Sequence, residues 1–147
     1  MATRMLIAVD GSPLSFRALR YALREFPEAE FVAYHVVDLF EPDVLEGASD
    51  SSYEPMIGSD AWDERVSETT DTLFEEVAEI ADEYDRSVAT DSDIGDPKRL
   101  VVDYAVEEDV DAIVVGAHGR PGRDRPLFGS VADTVVRRAT IPVIVVR

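Results

Sequence analysis

The sequence predicts an α/β fold: a single-domain, doubly wound, five-stranded parallel sheet with helices on both faces. Apolar runs typical of buried strands alternate with segments of helical spacing, in the order βαβ, loop, αβαβ, loop, αβ. The 147 residues suit one domain, 1–147, and 46% of them are hydrophobic, enough for a core. Right-handed crossovers between parallel strands then place helices on both sides of the sheet.

The first strand, helix and strand follow from residues 4–38. Residues 4–10 (RMLIAVD) form a continuous apolar run that ends at an acid, as a buried strand does. Ser12 and Pro13 form an N-cap and first-turn pair, so a helix is expected to start there. Its apolar face carries Phe16, Leu19, Leu23 and Phe26. Residues 31–38 (FVAYHVVD) predict the second strand.

The middle of the chain combines a loop, a long helix and a weak strand. Residues 39–60 are rich in Pro, Gly, Ser and Asp and predict a long mobile loop. A long helix follows, with acids on one face and an apolar face marked by Trp62, Val66, Thr69, Leu73, Val77, Ile80 and Tyr84. Residues 87–94 alternate weakly, which indicates a strand at the edge of the sheet.

The last third predicts two more strands and two helices. Asp96 and Pro97 repeat the N-cap and proline pattern of a helix start. Residues 111–116 (DAIVVG) indicate a fully buried strand, and residues 141–147 (IPVIVVR) a final one after a helix that starts at Ser130. In such folds ligands bind at the carboxyl ends of strands, where the strand order reverses.

The formal charge of −17 is concentrated in the middle of the chain. Residues 41–96 hold 19 acidic and two basic residues, and the flanking parts are balanced. Lys98 stands alone beside 13 arginines. Many acids and scarce lysine suggest a salt-rich cytoplasm, such as that of a halophilic archaeon; an ordinary acidic surface that favours solubility is the alternative. No basic excess points to nucleic acid.

Signals for export and for membranes are missing from the sequence. There is no cysteine, the first residues do not form a signal peptide, and no apolar run approaches about 20 residues. We therefore expect a cytoplasmic protein that does not bind membranes.

Residues 116–130 (GAHGRPGRDRPLFGS) predict a phosphate site. Gly116 and Gly119 follow a buried strand and let a ligand approach the backbone. Gly129 and Ser130 open a helix, where free N–H groups and the helix dipole favour an anion. Positive charge for phosphates comes from His118, Arg120, Arg123 and Arg125. A plain β-to-α turn with a serine at the helix start is the alternative.

The glycine pattern, G-x-x-G-x(9)-G-S, resembles that of the universal stress protein family. The resemblance covers nearly the whole chain, through AVDGS at 8–12, HVVD at 35–38, IGDP at 94–97 and VVGAHGR at 114–120. The intact glycines and serine resemble the ATP-binding branch. The resemblance thus implies a Rossmann-like regulatory module that binds ATP with Mg²⁺, and a homodimer formed through the C-terminal strand, residues 142–147.

The resemblance also implies roles for individual residues. Asp10 would lie near the nucleotide and help to hold a metal or the ribose, and Val36 would contact adenine through its backbone. The other implied nucleotide contacts are Ala8, Val9, Val115, Gly116, His118, Gly119, Gly129, Ser130 and Val131. Arg120 is added from its charge, because the prolines and arginines of this loop depart from the family. Asp10 as a plain acceptor of turn N–H groups is the alternative, and His35 is expected to make a hydrogen bond rather than bind metal.

Three other functions are weighed against ATP binding. A phosphorylation receiver needs a lysine after its last strand, and Lys98 lies elsewhere. A ligand-free dimerisation module would fit the apolar last strand but not the intact glycines. A slow ATPase is open, as is the choice among ATP, AMP and a cyclic nucleotide. If the site is real, Gly116→Val or Gly129→Val is expected to abolish binding and leave the fold intact.

Overall fold

The computed structural model describes residues 3–38, 58–117 and 129–147. Within these ranges the chain alternates strands and helices in the predicted order: β1 (Arg4–Ala8), α1 (Pro13–Glu25), β2 (Glu30–Asp38), α2 (Asp60–Glu83), β3 (Ala89–Gly95), α3 (Pro97–Glu107), β4 (Ala112–Gly116), α4 (Ser130–Arg138) and β5 (Val143–Val146). The loop predicted over 39–60 lies mostly outside the described residues. Its last residue is wrong, because Asp60 is already in α2 and Ser59 is the N-cap.

The five strands form one sheet in the order β3-β2-β1-β4-β5, and every pair is parallel. The order reverses at β1 and β4, since the chain moves outward from β1 to β3 and then outward on the other side from β4 to β5. Right-handed crossovers therefore put α1 and α2 on one face and α3 and α4 on the other. The predicted fold class is confirmed.

Two buried clusters fill the two sides of the sheet. One packs α1 and α2 on the strands and includes Leu19, Leu73 and Val77. The other packs α3 and α4 on the opposite face and includes Val101 and Val135. The central strands β1, β2 and β4 are buried on both faces, as their continuous apolar runs predict.

Strand β3 is an exposed edge strand, as its weak alternation predicts. Two stacked tyrosines hold it: the centroids of the Tyr34 and Tyr104 rings lie 4.1 Å apart. The Tyr34 hydroxyl donates to Asp93 at 2.7 Å and the Tyr104 hydroxyl donates to Asp91 at 2.9 Å. Burial and the neighbouring carboxylates raise the pKa of Tyr104 to about 12, so the hydroxyl stays protonated and keeps donating. The acids of this edge therefore serve as acceptors.

Among the described residues, no helix combines the length and the apolar composition that crossing a bilayer requires.

Candidate functional site

The strand ends at the reversal point bring together residues from three strands. Ile7 pairs with Val114, so Ala8 and Val9 lie beside Val115 and Gly116 on adjacent strands. On the other side of β1, Ala8 pairs with Tyr34, two residues before Val36. The predicted contacts from β1, β2 and β4 thus share one edge of the sheet.

The valines of this group expose little of their side chains. Val9 belongs to the cluster under α1 and α2, Val36 belongs to the cluster under α3 and α4, and Val115 is also buried. A ligand at this edge would therefore meet their backbone atoms. This agrees with the backbone contact expected for Val36, which stays a prediction.

Asp10 lies exposed between the end of β1 and the start of α1. Its Oδ1 accepts a hydrogen bond from the Ser12 N–H at 2.8 Å, which forms a turn of the Asx type. This is the structural role considered as the alternative for Asp10. A carboxylate has several acceptor sites, so the turn is compatible with a ligand contact as well.

Gly116 is a packing residue. A Cβ built there would lie 2.7 Å from the Leu14 carbonyl oxygen and 2.8 Å from the Leu14 carbonyl carbon. The missing side chain makes room for the first turn of α1, and these are backbone atoms that cannot swing aside. The expectation that Gly116→Val leaves the fold intact is therefore wrong.

Helix α4 starts differently from the other three helices of the described residues. Side chains of Ser12, Ser59 and Asp96 accept N–H hydrogen bonds at the starts of α1, α2 and α3. At the start of α4 the N-cap is Gly129, which has no side chain to accept such a bond. Because α4 runs back toward the start of β5, its own start lies toward the carboxyl edge of the sheet.

The remaining predicted residues are divided between the start of α4 and the region before it. Ser130 is exposed, and Val131 packs partly against the cluster under α3 and α4. His118, Gly119 and Arg120 lie outside the described residues, as do Arg123 and Arg125. Their roles stay predictions.

Among the described residues, His35 makes one of its two possible hydrogen bonds. Its Nδ1 lies 2.9 Å from the Val9 carbonyl oxygen, which fixes Nδ1 as the donor. Its Nε2 is buried and has no hydrogen-bond partner among the described residues. Burial, the largest influence, lowers the pKa of His35. Sequence reasoning found the hydrogen bond but missed the buried Ser15, which contacts the same turn.

His35 predicts a loss of stability in weak acid. The lowered pKa in the folded chain means that the unfolded chain binds the proton more readily. This contribution is complete above the ordinary histidine pKa of about 6.5 and is lost as the pH falls below it. Urea unfolding between about pH 7.5 and 5 should show a slope of up to about 1.4 kcal/mol per pH unit from this residue. His35→Leu should flatten the curve, and an unchanged curve would contradict the prediction.

The whole chain, residues 1–147, matches the family model described as the universal stress protein family. Universal stress protein YxiE of Bacillus subtilis is 31% identical over the full length of both chains. Universal stress protein MJ0531 of Methanocaldococcus jannaschii is 30% identical over 98% of this chain and 81% of its own.

Solved structures of universal stress proteins share the fold. UspA from Lactobacillus plantarum is 27% identical with a TM-score of 0.68, covering 99% of this chain and 97% of its own. A universal stress protein in complex with cAMP covers 99% and 97% with a TM-score of 0.72, and an Arabidopsis thaliana family protein with AMP bound covers 97% and 90% with a TM-score of 0.66. Each of the last two is 20% identical, so their likeness shows the fold alone. On the family match and the two relatives, this chain belongs to the universal stress protein family.

Proposed function

We propose that this chain is a nucleotide-binding regulatory module that holds ATP at the carboxyl edge of β1 and β4. One observation carries the proposal: the strand order reverses there. The start of α4, which has no side-chain cap, also lies toward that edge. Such reversals form crevices that take ligands, and uncapped helix starts favour phosphate. Family members with cAMP and with AMP bound support an adenine nucleotide.

Separate groups of described residues would contact the base, the ribose and the phosphates of the nucleotide. The backbone around Val36 would face adenine, Asp10 would lie by the ribose or the metal, and Gly129 with Ser130 would receive the phosphates. His118, Gly119 and Arg120 join the phosphate group on sequence alone.

Mg²⁺ would need ligands beyond the side chains of the described residues. In the described ranges, no three His, Cys, Asp or Glu side chains come together at a metal site. Asp10 would supply one oxygen, and phosphate oxygens and water the rest, as is usual for Mg²⁺. Bound there, the ion would neutralise phosphate charge in a chain of net charge −17.

The first experiment is to identify what the protein carries. Protein purified in high salt is denatured, and the released small molecules are separated by anion exchange. Near-stoichiometric adenine nucleotide would support the site, and its identity would decide among ATP, AMP and a cyclic form. If nothing is released, the protein is titrated with Mg-ATP, AMP and cAMP in about 2 M salt. Salt at that concentration screens the long-range repulsion between the acidic chain and the nucleotide. No binding there would favour the ligand-free dimer.

A charge placed at the start of α4 should separate phosphate binding from helix stability. Gly129 has φ −63° and ψ 167°, a conformation open to other residues, and Asp and Asn both favour this position. Gly129→Asp is expected to bind Mg-ATP at least about tenfold more weakly than the isosteric Gly129→Asn, because its carboxylate opposes the phosphates. Isothermal titration measures both. Equal affinities of the two variants, with unchanged melting temperatures, would show that the phosphates do not bind at the start of α4.

We also propose a homodimer formed through β5. This strand lies at the sheet edge, beside β4 alone among the described strands, and three of its four residues are only half-buried. An open apolar edge tends to pair with another chain. Val145→Asp should shift the mass in sedimentation equilibrium from dimer to monomer. Val106→Asp on α3, where the valine is 61% exposed, is the matched control and should stay dimeric.

We further propose that the protein works in a salt-rich cytoplasm. Ten of the 19 acids in residues 41–96 lie exposed on α2, where one arginine accompanies them. The dependence of folding on salt tests this proposal.

A further inference from the structure

The peptide bond between Val9 and Asp10 is held on both sides by buried polar side chains. Its carbonyl accepts from His35 Nδ1 at 2.9 Å, and its N–H donates to Ser15 Oγ at 3.4 Å. His35 is 6% exposed and Ser15 is 3% exposed. The plane of this peptide is therefore set by two residues from different elements, β2 and α1.

His35 continues the sheet where the regular ladder stops. Strand β1 ends at Ala8, although the Val9 N–H still donates to the Tyr34 carbonyl at 3.0 Å. The next acceptor, the Val9 carbonyl, is satisfied by the His35 side chain. Val9 is thereby bound to β2 through both of its backbone groups.

The other ring nitrogen shows that stability alone does not explain His35. Its Nε2 is buried and has no hydrogen-bond partner among the described residues, which is unfavourable for a polar atom. A leucine would fill a similar volume without that penalty. The ring is thus suited to holding the Val9 carbonyl rather than to core packing.

Ser15 connects the same peptide to the turn around Asp10. Its hydroxyl donates to the Ser12 carbonyl at 2.9 Å while accepting from the Asp10 N–H. The Ser12 N–H donates in turn to Asp10 Oδ1. A rotation of the Val9–Asp10 peptide would therefore move the Asp10 carboxylate and the start of α1 together.

We infer that His35 and Ser15 are positioning residues, which hold the Val9–Asp10 peptide and so aim Asp10 at the nucleotide. The inference rests on the proposed nucleotide site and adds two buried residues that act on that site through the Val9–Asp10 peptide. Neither touches the ligand in this arrangement. Groups that orient a binding residue from behind contribute to affinity through its geometry.

Three variants test the inference. His35→Asn keeps an N–H at the Nδ1 position, because the asparagine amide nitrogen is the same number of bonds from the backbone. His35→Leu removes the donor. Val77→Ala, in the buried cluster on the same face, is the control for lost packing. Isothermal titration with Mg-ATP and with AMP gives affinity, and amide hydrogen exchange at Val9 and Ser12 gives local order.

We expect His35→Leu to bind nucleotide about tenfold more weakly, the value of one hydrogen bond, with faster exchange at Val9 and Ser12. His35→Asn should stay within about threefold of the parent, since it keeps the bond. Val77→Ala should lose stability with affinity unchanged. The inference is overturned if His35→Leu keeps its affinity, or if His35→Asn loses as much.

A separate result identifies failure of the nucleotide site itself. If the parent protein binds neither Mg-ATP nor AMP, the proposed function fails, and the exchange rates alone decide whether the peptide is held. Faster exchange at Val9 and Ser12 in His35→Leu than in Val77→Ala would retain the positioning role. Equal rates would overturn it.

Discussion

Gly116→Val is expected to lower the free energy of unfolding by about 3 kcal/mol, the upper end of the usual range for overpacking. The first atom added at this position meets the Leu14 carbonyl at 2.7 and 2.8 Å, so strand β4 or helix α1 has to move. Gly116→Ala adds only that first carbon and should cost about 2 kcal/mol. Urea unfolding of the three proteins measures the difference.

Gly11 provides the control for a glycine at the same edge of the sheet. Its φ of +85° favours glycine, but a Cβ there would meet only Leu73 Cδ1, at 3.9 Å. Gly11→Ala should therefore cost about 1 kcal/mol, from backbone strain alone. If Gly116→Ala were less destabilised than Gly11→Ala, the close packing of α1 on β4 would not be what this position requires.

This packing changes how the nucleotide site has to be tested. A variant at Gly116 that loses nucleotide has also disturbed α1, whose N-cap, Ser12, lies two residues after Asp10. Its failure to bind would not distinguish a lost contact from a displaced helix. Gly129, in a backbone conformation open to other residues, is the better position for a binding test.

The sequence predicted the architecture well because its signals are local. Continuous apolar runs mark the three central strands, and serine or aspartate followed by proline marks two helix starts, at Ser12 and Asp96. The weak alternation of residues 87–94 placed β3 at an edge. Each of these patterns involves residues close together in the chain, and the structure they predict is the one that the folded chain adopts.

The missed features depend on contacts between distant parts of the chain. From the sequence, Gly116 is expected to let a ligand approach, because no residue near it in the chain indicates that Leu14 packs against it. Ser15 was missed because a serine in the first turn of a helix is common. Its role depends on the Asp10 N–H that it accepts and on His35, which holds the other side of the same peptide. Only the folded turn brings these groups together. A buried histidine beside a strand end was the one available signal for this network.

Unfolding in increasing KCl is expected to show a stability gain of roughly 2 to 4 kcal/mol between about 0.1 M and 2 M salt. The outer face of α2 places nine acid pairs three or four residues apart, each unfavourable by about 0.2 to 0.5 kcal/mol. The screening length falls from about 10 Å at 0.1 M to about 3 Å at 1 M, shorter than the spacing of these side chains. Salt therefore removes a repulsion that opposes this helix.

A triple variant, Glu68→Gln, Glu75→Gln and Glu79→Gln, separates this repulsion from general effects of concentrated salt. All three side chains are exposed, and glutamine keeps their size and helix preference. The substitutions remove seven of the nine pairs, so the variant should be more stable than the parent in dilute buffer and should gain much less from KCl. Sucrose of equal osmolality should stabilise both proteins alike, because it is excluded from the protein surface and does not screen charge. If parent and variant respond equally to KCl, self-repulsion along α2 is not the reason for the salt dependence. An acidic surface that serves solubility would then be the better explanation of the −17 charge.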